Sequence, residues 1–247
     1  MDRPGWRRFV FEYDGERLSC VEAVPAAPDA ARSTAVVLHG AGTGDKERLT
    51  GLMADLAARG RRALALDFSG HGGSSGLLRD LSLQRRFEQA RALVDLHAPA
   101  GDGLLLVGFS MSGQTVADLA AHYGPRVDAV GLCAPAVYAR RAWPLRFHDG
   151  FTEVIRTPGS WRDSAALEVY RGLTARAVLA VPGHDEVIPP EVTEAVAGAL
   201  SVRSRFTRIV HEGADHRLGA WFRENPRERR RFVDALLAPR DPEGGTG

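Results

Sequence analysis

Four apolar residues in a row, Leu104-Leu105-Leu106-Val107, run without a polar break into Gly108-Phe109-Ser110-Met111-Ser112-Gly113. A short apolar run bounded by glycine suits a strand buried on both faces, as in parallel sheets covered by helices on each side. The residues that follow, Gln114 to Ala120, have helical spacing. A doubly buried strand that turns straight into a helix points to a layered α/β architecture, and it places Ser110 in the turn. In so tight a turn the serine is held in a strained conformation, its hydroxyl stands clear of the sheet, and its neighbours two residues away must be small. Gly108 and Ser112 meet that demand.

The same rhythm recurs along the chain. Residues 6 to 13 and 17 to 24 alternate apolar and polar around Asp14-Gly15, which predicts an antiparallel hairpin. Ala35 to Leu38 leads through His39-Gly40-Ala41-Gly42-Thr43-Gly44 to a helix carrying Leu49, Leu52, Met53 and Leu56. Ala63 to Leu66 ends at Asp67, and the glycine-rich loop after it leads to a helix at about 82 to 97. Further strands are expected at Ala129 to Cys133, 177 to 181 and 204 to 210, with helices at 191 to 200 and 218 to 237. The expected fold is therefore α/β, with a mainly parallel, roughly eight-stranded sheet and helices on both faces joined by right-handed crossovers. At 247 residues the chain suits one domain, 1–247. About 138–172 does not fit the rhythm and reads as a small cap-like insertion containing Trp143, Phe147, Phe151, Trp161 and Tyr170, while the tail 240–247 reads as disordered.

Composition removes several function classes. A net charge of +1 gives no footprint for nucleic acid or a membrane surface, and Glu228 interrupts the arginines of Arg227 to Arg231 as on a solvated helix face. The two cysteines, Cys20 and Cys133, lie in apolar strand-like surroundings and read as buried thiols, not a disulfide framework. The N-terminus has no apolar signal core, and no segment approaches the roughly eighteen apolar residues needed to span a bilayer, so a cytoplasmic protein is expected. His71, His97, His122, His148 and His211 have no metal-ligand spacing and no Cys-x-x-Cys pair exists, so neither a metal nor a cofactor is expected.

A serine hydroxyl is a poor nucleophile at neutral pH unless a base lies within hydrogen-bond reach and a third group orients that base. In α/β sheets such groups gather beyond the carboxyl ends of strands. The strand at 177 to 181 is followed by Pro182-Gly183-His184-Asp185, and the strand at 204 to 210 by Glu212-Gly213-Ala214-Asp215-His216. Asp215 adjoins His216, but sequential side chains in an extended loop diverge, which leaves Asp185 as the candidate orienting acid. His184, beside Asp185, reads either as a solvent-facing loop residue or as a substrate contact.

The Gly-x-Ser-x-Ser-Gly elbow and the chain order Ser110, Asp185, His216 resemble the α/β-hydrolase superfamily, with one departure: Ser112 stands where the common elbow has glycine. The resemblance spans the whole chain. It implies a nucleophile at Ser110, a general base at His216 and an orienting acid at Asp185. It also implies an oxyanion hole of backbone amides from Met111 and from Ala41, in a loop similar to the family's His-Gly turn, with His39 bracing that loop. The implied activity is hydrolysis of a carboxylic ester or thioester of a small molecule through an acyl-enzyme. Ser at position 110 argues against the family's dehalogenases and epoxide hydrolases, which need a carboxylate there.

Other readings stay open on the residues alone. A small amide or peptide hydrolase would use the same three side chains, and non-hydrolytic members, such as a ligand receptor or biosynthetic cyclase, share the fold. The loop Gly40 to Gly44 with Asp67 imitates a dinucleotide-binding unit, but Asp45 opposes phosphate, and Lys46 is followed by Glu47 instead of Ser or Thr. Substrate choice is expected in 138–172, lying over the site, where its aromatics either form an apolar acyl pocket or, taken singly, pack onto the sheet. Arg140, Arg141, Arg146 and Arg156 are either solvated or attract an anionic carrier such as coenzyme A.

Overall fold

The computed structural model describes residues 4–27 and 33–239, so the tail 240–247 lies outside the described residues. Strands β1 (Gly5–Tyr13) and β2 (Glu16–Val24) form the predicted hairpin. Asp14 and Gly15 turn it with φ of 50° and 77°, the pair of positive values a two-residue hairpin loop requires. They are followed by β3 (Ser33–Leu38), β4 (Arg62–Leu66), β5 (Gly103–Phe109), β6 (Val127–Cys133), β7 (Arg176–His184) and β8 (Arg205–Asp215). The eight strands make one sheet in the order β1-β2-β4-β3-β5-β6-β7-β8, antiparallel at β1, β2 and the β2–β4 pairing and parallel from there on.

Eight α-helices accompany the strands among the described residues: α1 (Thr50–Ala57), α2 (Leu83–His97), α3 (Ser112–Tyr123), α4 (Thr152–Arg156), α5 (Ala165–Gly172), α6 (Pro190–Leu200), α7 (Leu218–Glu224) and α8 (Pro226–Leu237). The central strands are apolar on both sides because each faces a different helical layer. In β5, Leu104 and Leu106 pack with Leu93 of α2, Val116 of α3 and Val196 of α6. Leu105 and Val107 pack with Met53 of α1 and Phe222 and Phe232 of α7 and α8. Cys20 and Cys133 are buried free thiols in these two layers.

Three expectations about elements need correction. The single helix expected at 218–237 is two, because Pro226 supplies no backbone N–H and keeps Asn225 out of helical geometry. Strands β7 and β8 run beyond 181 and 210, pairing as far as His184 with Asp215 through an irregularity at Pro182–His184. Pro182-Gly183 imitates a loop in sequence, yet a Cβ on Gly183 would stand 2.4 Å from the Glu212 carbonyl oxygen, so glycine is what lets the two backbones approach. The arginine-rich stretch in α8 is not wholly solvated, since Arg229 is largely buried and bonds Asp55 of α1 at 2.6 Å.

The segment 138–172 is not uniform. Its second half, α5, belongs to the layer beneath the sheet, where Tyr170 is fully buried and its hydroxyl donates to the Gly113 carbonyl at 2.5 Å. Its first half forms a separate apolar cluster in which Phe151 and Ala142 pack on Met111 and Leu83. Trp143 is tied to α3 by an indole N–H donated to Asp118 Oδ2 at 3.0 Å. Half-buried on α3, the Asp118 carboxyl is pushed up to about 6 by desolvation, against the opposing bonds from Trp143 and Gln114.

Candidate active site

Strand β5 delivers Ser110, and the turn into α3 holds it at φ 49°, a left-handed value that only a constrained non-glycine residue keeps. The turn is fixed from several directions. Ser110 N–H donates to the Cys133 carbonyl, and its own carbonyl accepts the amides of Gly113 and Ala136. A Cβ on Gly108 would meet the Ser112 carbonyl oxygen at 2.6 Å and Val116 Cγ2 at 2.7 Å, so position 108 must be glycine for the elbow to close.

The ends of β7 and β8 bring the other two groups to the serine. Ser110 Oγ lies 3.0 Å from His216 Nε2, and His216 Nδ1 lies 3.0 Å from Asp185 Oδ2. Asp185 uses its other oxygen to accept the amides of Val187 and Ile188 at 2.9 Å each. With the carboxylate oxygen facing Nδ1, that nitrogen carries the proton and Nε2 is free to accept from the serine hydroxyl. Asp215 does not compete: its oxygens bond the backbone and side chain of Arg217. His184 is exposed.

The loop after β3 closes the opposite side. Gly40 abuts the serine so closely that a Cβ there would be 3.1 Å from Ser110 Cβ. His39 is buried beneath it, donating Nδ1–H to the Gly40 carbonyl at 2.7 Å and accepting the Phe68 amide at Nε2 at 3.1 Å. Burial, with Arg86, His71 and Lys46 nearby, holds its imidazole well below the usual histidine range and therefore neutral. A trans peptide points its N–H away from its C=O, so the bond to Gly40 O turns the Ala41 N–H away from the His39 ring. The amides of Ala41 and Met111 donate to no protein group among the described residues.

Asp67, which imitated a ribose-binding acid, is fully buried and serves this loop from below. It accepts the Lys46 ammonium at 2.6 Å, the Lys46 amide at 2.7 Å and the Gly73 amide at 2.8 Å. Asp45 bonds the Arg48 amide, capping the turn before α1. Both carboxylates of the apparent nucleotide motif are thus structural.

A cavity of about 320 Å³ opens on Ser110 and His216. Apolar walls come from Leu49, Phe109, Val187 and Leu218, and Thr43, Asp45, Arg48 and Arg217 stand among the polar groups lining it. This corrects the expectation for 138–172: none of its aromatics and none of Arg140, Arg141, Arg146 or Arg156 lines this cavity. Trp161 and Tyr138 instead line a separate hollow of about 220 Å³ that shares only Val187 with it. Arg140 is occupied by Glu168 and Asp163.

Two participants escape sequence reading. The Ser112 hydroxyl is fully buried and donates to the His39 carbonyl at 2.6 Å. Arg86 of α2 is fully buried and donates from Nη2 to that same carbonyl at 2.7 Å and to Ser112 Oγ at 2.8 Å. Their signals were present: a serine in place of the elbow's second glycine, and an arginine at the inward spacing set by Leu83, Ala90 and Leu93.

The chain's fold is similar to that of several solved structures. The solved structure of Est1E from Butyrivibrio proteoclasticus with ferulic acid bound matches with a TM-score of 0.73 at 18% identity, over 94% of this chain and 100% of that one. A predicted CIB-like hydrolase from Thermoplasma acidophilum matches at 0.68 and 18%, over 95% and 98%. The thioesterase domain from the curacin biosynthetic pathway matches at 0.66 and 17%, over 93% and 99%. At such identities the likeness is one of fold. No curated protein sequence matches the chain. The sequence profile of the alpha/beta hydrolase fold matches residues 34–176, more than half the length, and the chain belongs to that family.

Proposed function

We propose that the protein is a serine hydrolase that cleaves a carboxylic ester or thioester of a small molecule through an acyl-enzyme. The observation that carries this reading is the unbroken relay from Ser110 Oγ to His216 Nε2 and from His216 Nδ1 to Asp185 Oδ2, 3.0 Å at each step, beginning on a residue held at φ 49°. His216 removes the hydroxyl proton as Ser110 Oγ attacks the acyl carbon, and Asp185 stabilises the imidazolium that forms. The amides of Ala41 and Met111 receive the oxyanion, a contribution of about 3 to 4 kcal/mol for each donor. His216 then protonates the leaving alcohol or thiol. Water, deprotonated by the same imidazole, repeats the attack and frees the acid.

The cavity at the serine lies near the small end of ligand pockets, which run from about 300 to 1,000 Å³, and so favours a compact acyl or leaving group. A fluorophosphonate probe should label the wild type stoichiometrically and leave Ser110→Ala unlabelled. Labelling that survives in Ser110→Ala, or a wild type that takes no label, would remove the nucleophile assignment. Matched ester, thioester and amide substrates of graded acyl length would then fix the preference among leaving groups.

A further inference from the structure

Arg86 is a fully buried cation in the core. Its guanidinium is fully buried and lies 3.7 Å from the centre of the Phe68 ring, with no carboxylate within ion-pair distance among the described residues. Nε and Nη1 have no hydrogen-bond partner there. Desolvation draws it down to about 9, so it remains charged at neutral pH. Burying a cation without a counterion is costly, and an apolar side chain at this inward position of α2 would avoid that cost. The one nitrogen that is bonded, Nη2, makes both of its contacts beneath the serine, to His39 O and Ser112 Oγ.

Resting on the serine-hydrolase reading, we propose that Arg86 and Ser112 are paired positioning residues that clamp the His39 carbonyl and so aim the Ala41 amide at the developing oxyanion. The linkage is continuous. Two donors, Arg86 Nη2 at 2.7 Å and Ser112 Oγ at 2.6 Å, converge on the His39 carbonyl and fix the residue at the end of β3. The His39 ring in turn donates to the Gly40 carbonyl at 2.7 Å, and the planar peptide carries that constraint to the Ala41 N–H. Because Ser112 opens α3 directly after the elbow, the clamp also ties the oxyanion loop to the helix start at which the other amide donor, Met111, stands as the N-cap. A glycine at 112 could make neither of the Ser112 hydroxyl's bonds, to the His39 carbonyl and to Arg86. The uncompensated charge of Arg86 lies behind the loop, where a low-dielectric setting makes it felt by a forming anion.

The test uses the full-length protein, 4-nitrophenyl acetate as substrate, and trifluoroacetophenone as a ketone that forms a tetrahedral oxyanion on the serine. Kinetics are referred to the fraction labelled by fluorophosphonate, so loss of folded protein does not count as loss of kcat. Ser112→Ala and Arg86→Met should each lower kcat about tenfold with KM within about twofold. The double variant should cost little more than the worse single one, because both act on one carbonyl. The Ki of the ketone should weaken by the same factor as kcat/KM, and Ser112→Thr should recover most of the rate. If Arg86→Met does not fold, Ser112→Ala and its rescue decide the question alone. Folded variants with wild-type kcat, losses confined to KM, or an unchanged ketone Ki would overturn the positioning role while leaving the nucleophile intact. A wild type that takes no fluorophosphonate label overturns both.

Discussion

Two histidines flank Ser110, and each has both ring nitrogens engaged. His216 spends them on side chains that can exchange or compensate a proton, the serine hydroxyl and the Asp185 carboxylate. His39 spends them on backbone, the Gly40 carbonyl and the Phe68 amide, and sits buried with Arg86, His71 and Lys46 near it. The same imidazole is therefore suited to proton transfer on one side of the serine and to bracing a loop on the other. Partners, more than residue type, decide which.

That contrast can be broken most sharply at His216. Ser110→Ala or His216→Ala should each lower kcat by about 10⁶-fold, with the double variant no worse, since the two act as one unit. Additive losses would mean that they do not. Asp185→Asn should cost about 10⁴-fold, for a geometric reason. The amides of Val187 and Ile188 hold Oδ1, so the asparagine keeps its carbonyl there and turns its NH₂ toward His216 Nδ1. The ring then moves its proton to Nε2, where it can no longer accept from Ser110. Activity within about tenfold of wild type would show that Asp185 does not set the tautomer.

The His216 side was legible in the sequence, whereas on the other side the resemblance named His39 and Ala41 but not the contacts that hold them, for physical reasons. Ser110, Asp185 and His216 each stand just past an apolar run, where strand ends leave side chains in the open, so local pattern alone singles them out. The exact ends of β7 and β8 were obscured because Pro182-Gly183 reads as a loop while the backbone goes on pairing. On the other side, the contacts join residues from β3, α2 and α3 across the core, as Arg86 with Ser112 and His39 does, and no local pattern encodes such convergence. The aromatics of 138–172 misled for a related reason. Burial of Tyr170 and Phe151 in apolar clusters and pocket lining by Trp161 produce the same composition.

The bracing role of His39 predicts an effect on stability more than on chemistry. Its folded pKa lies below the unfolded value, so the unfolded chain binds the extra proton and stability is fully present above about pH 6.5. As pH falls below that value, His39 alone should cost up to about 1.4 kcal/mol per unit until its folded pKa is reached. His71, His97 and His211 are lowered by burial too and add to the slope. His39→Asn keeps a donor for Gly40 O but leaves the Phe68 amide without its acceptor, so it should lose about 1 to 3 kcal/mol at pH 7.5 and flatten the acid slope. Urea unfolding from pH 7.5 to 5 measures both. An unchanged slope in the variant would remove the claim that His39 is kept neutral.

The smallest expected effect concerns the histidine nearest the acid in sequence. His184 adjoins Asp185 and pairs in register with Asp215, yet it is the last residue of β7 and its side chain is exposed. The pairing of β7 with β8 is irregular at Pro182–His184, and beyond that irregularity the His184 side chain faces solvent. The cavity at Ser110 takes Val187 from this loop and not His184. His184→Ala should therefore change kcat/KM by less than about twofold and leave the melting temperature within about 1 °C, as for an exposed surface substitution. A tenfold loss of kcat/KM would mean that His184 swings into the site during turnover, and the division of labour between His216 and His39 would have to admit a third histidine.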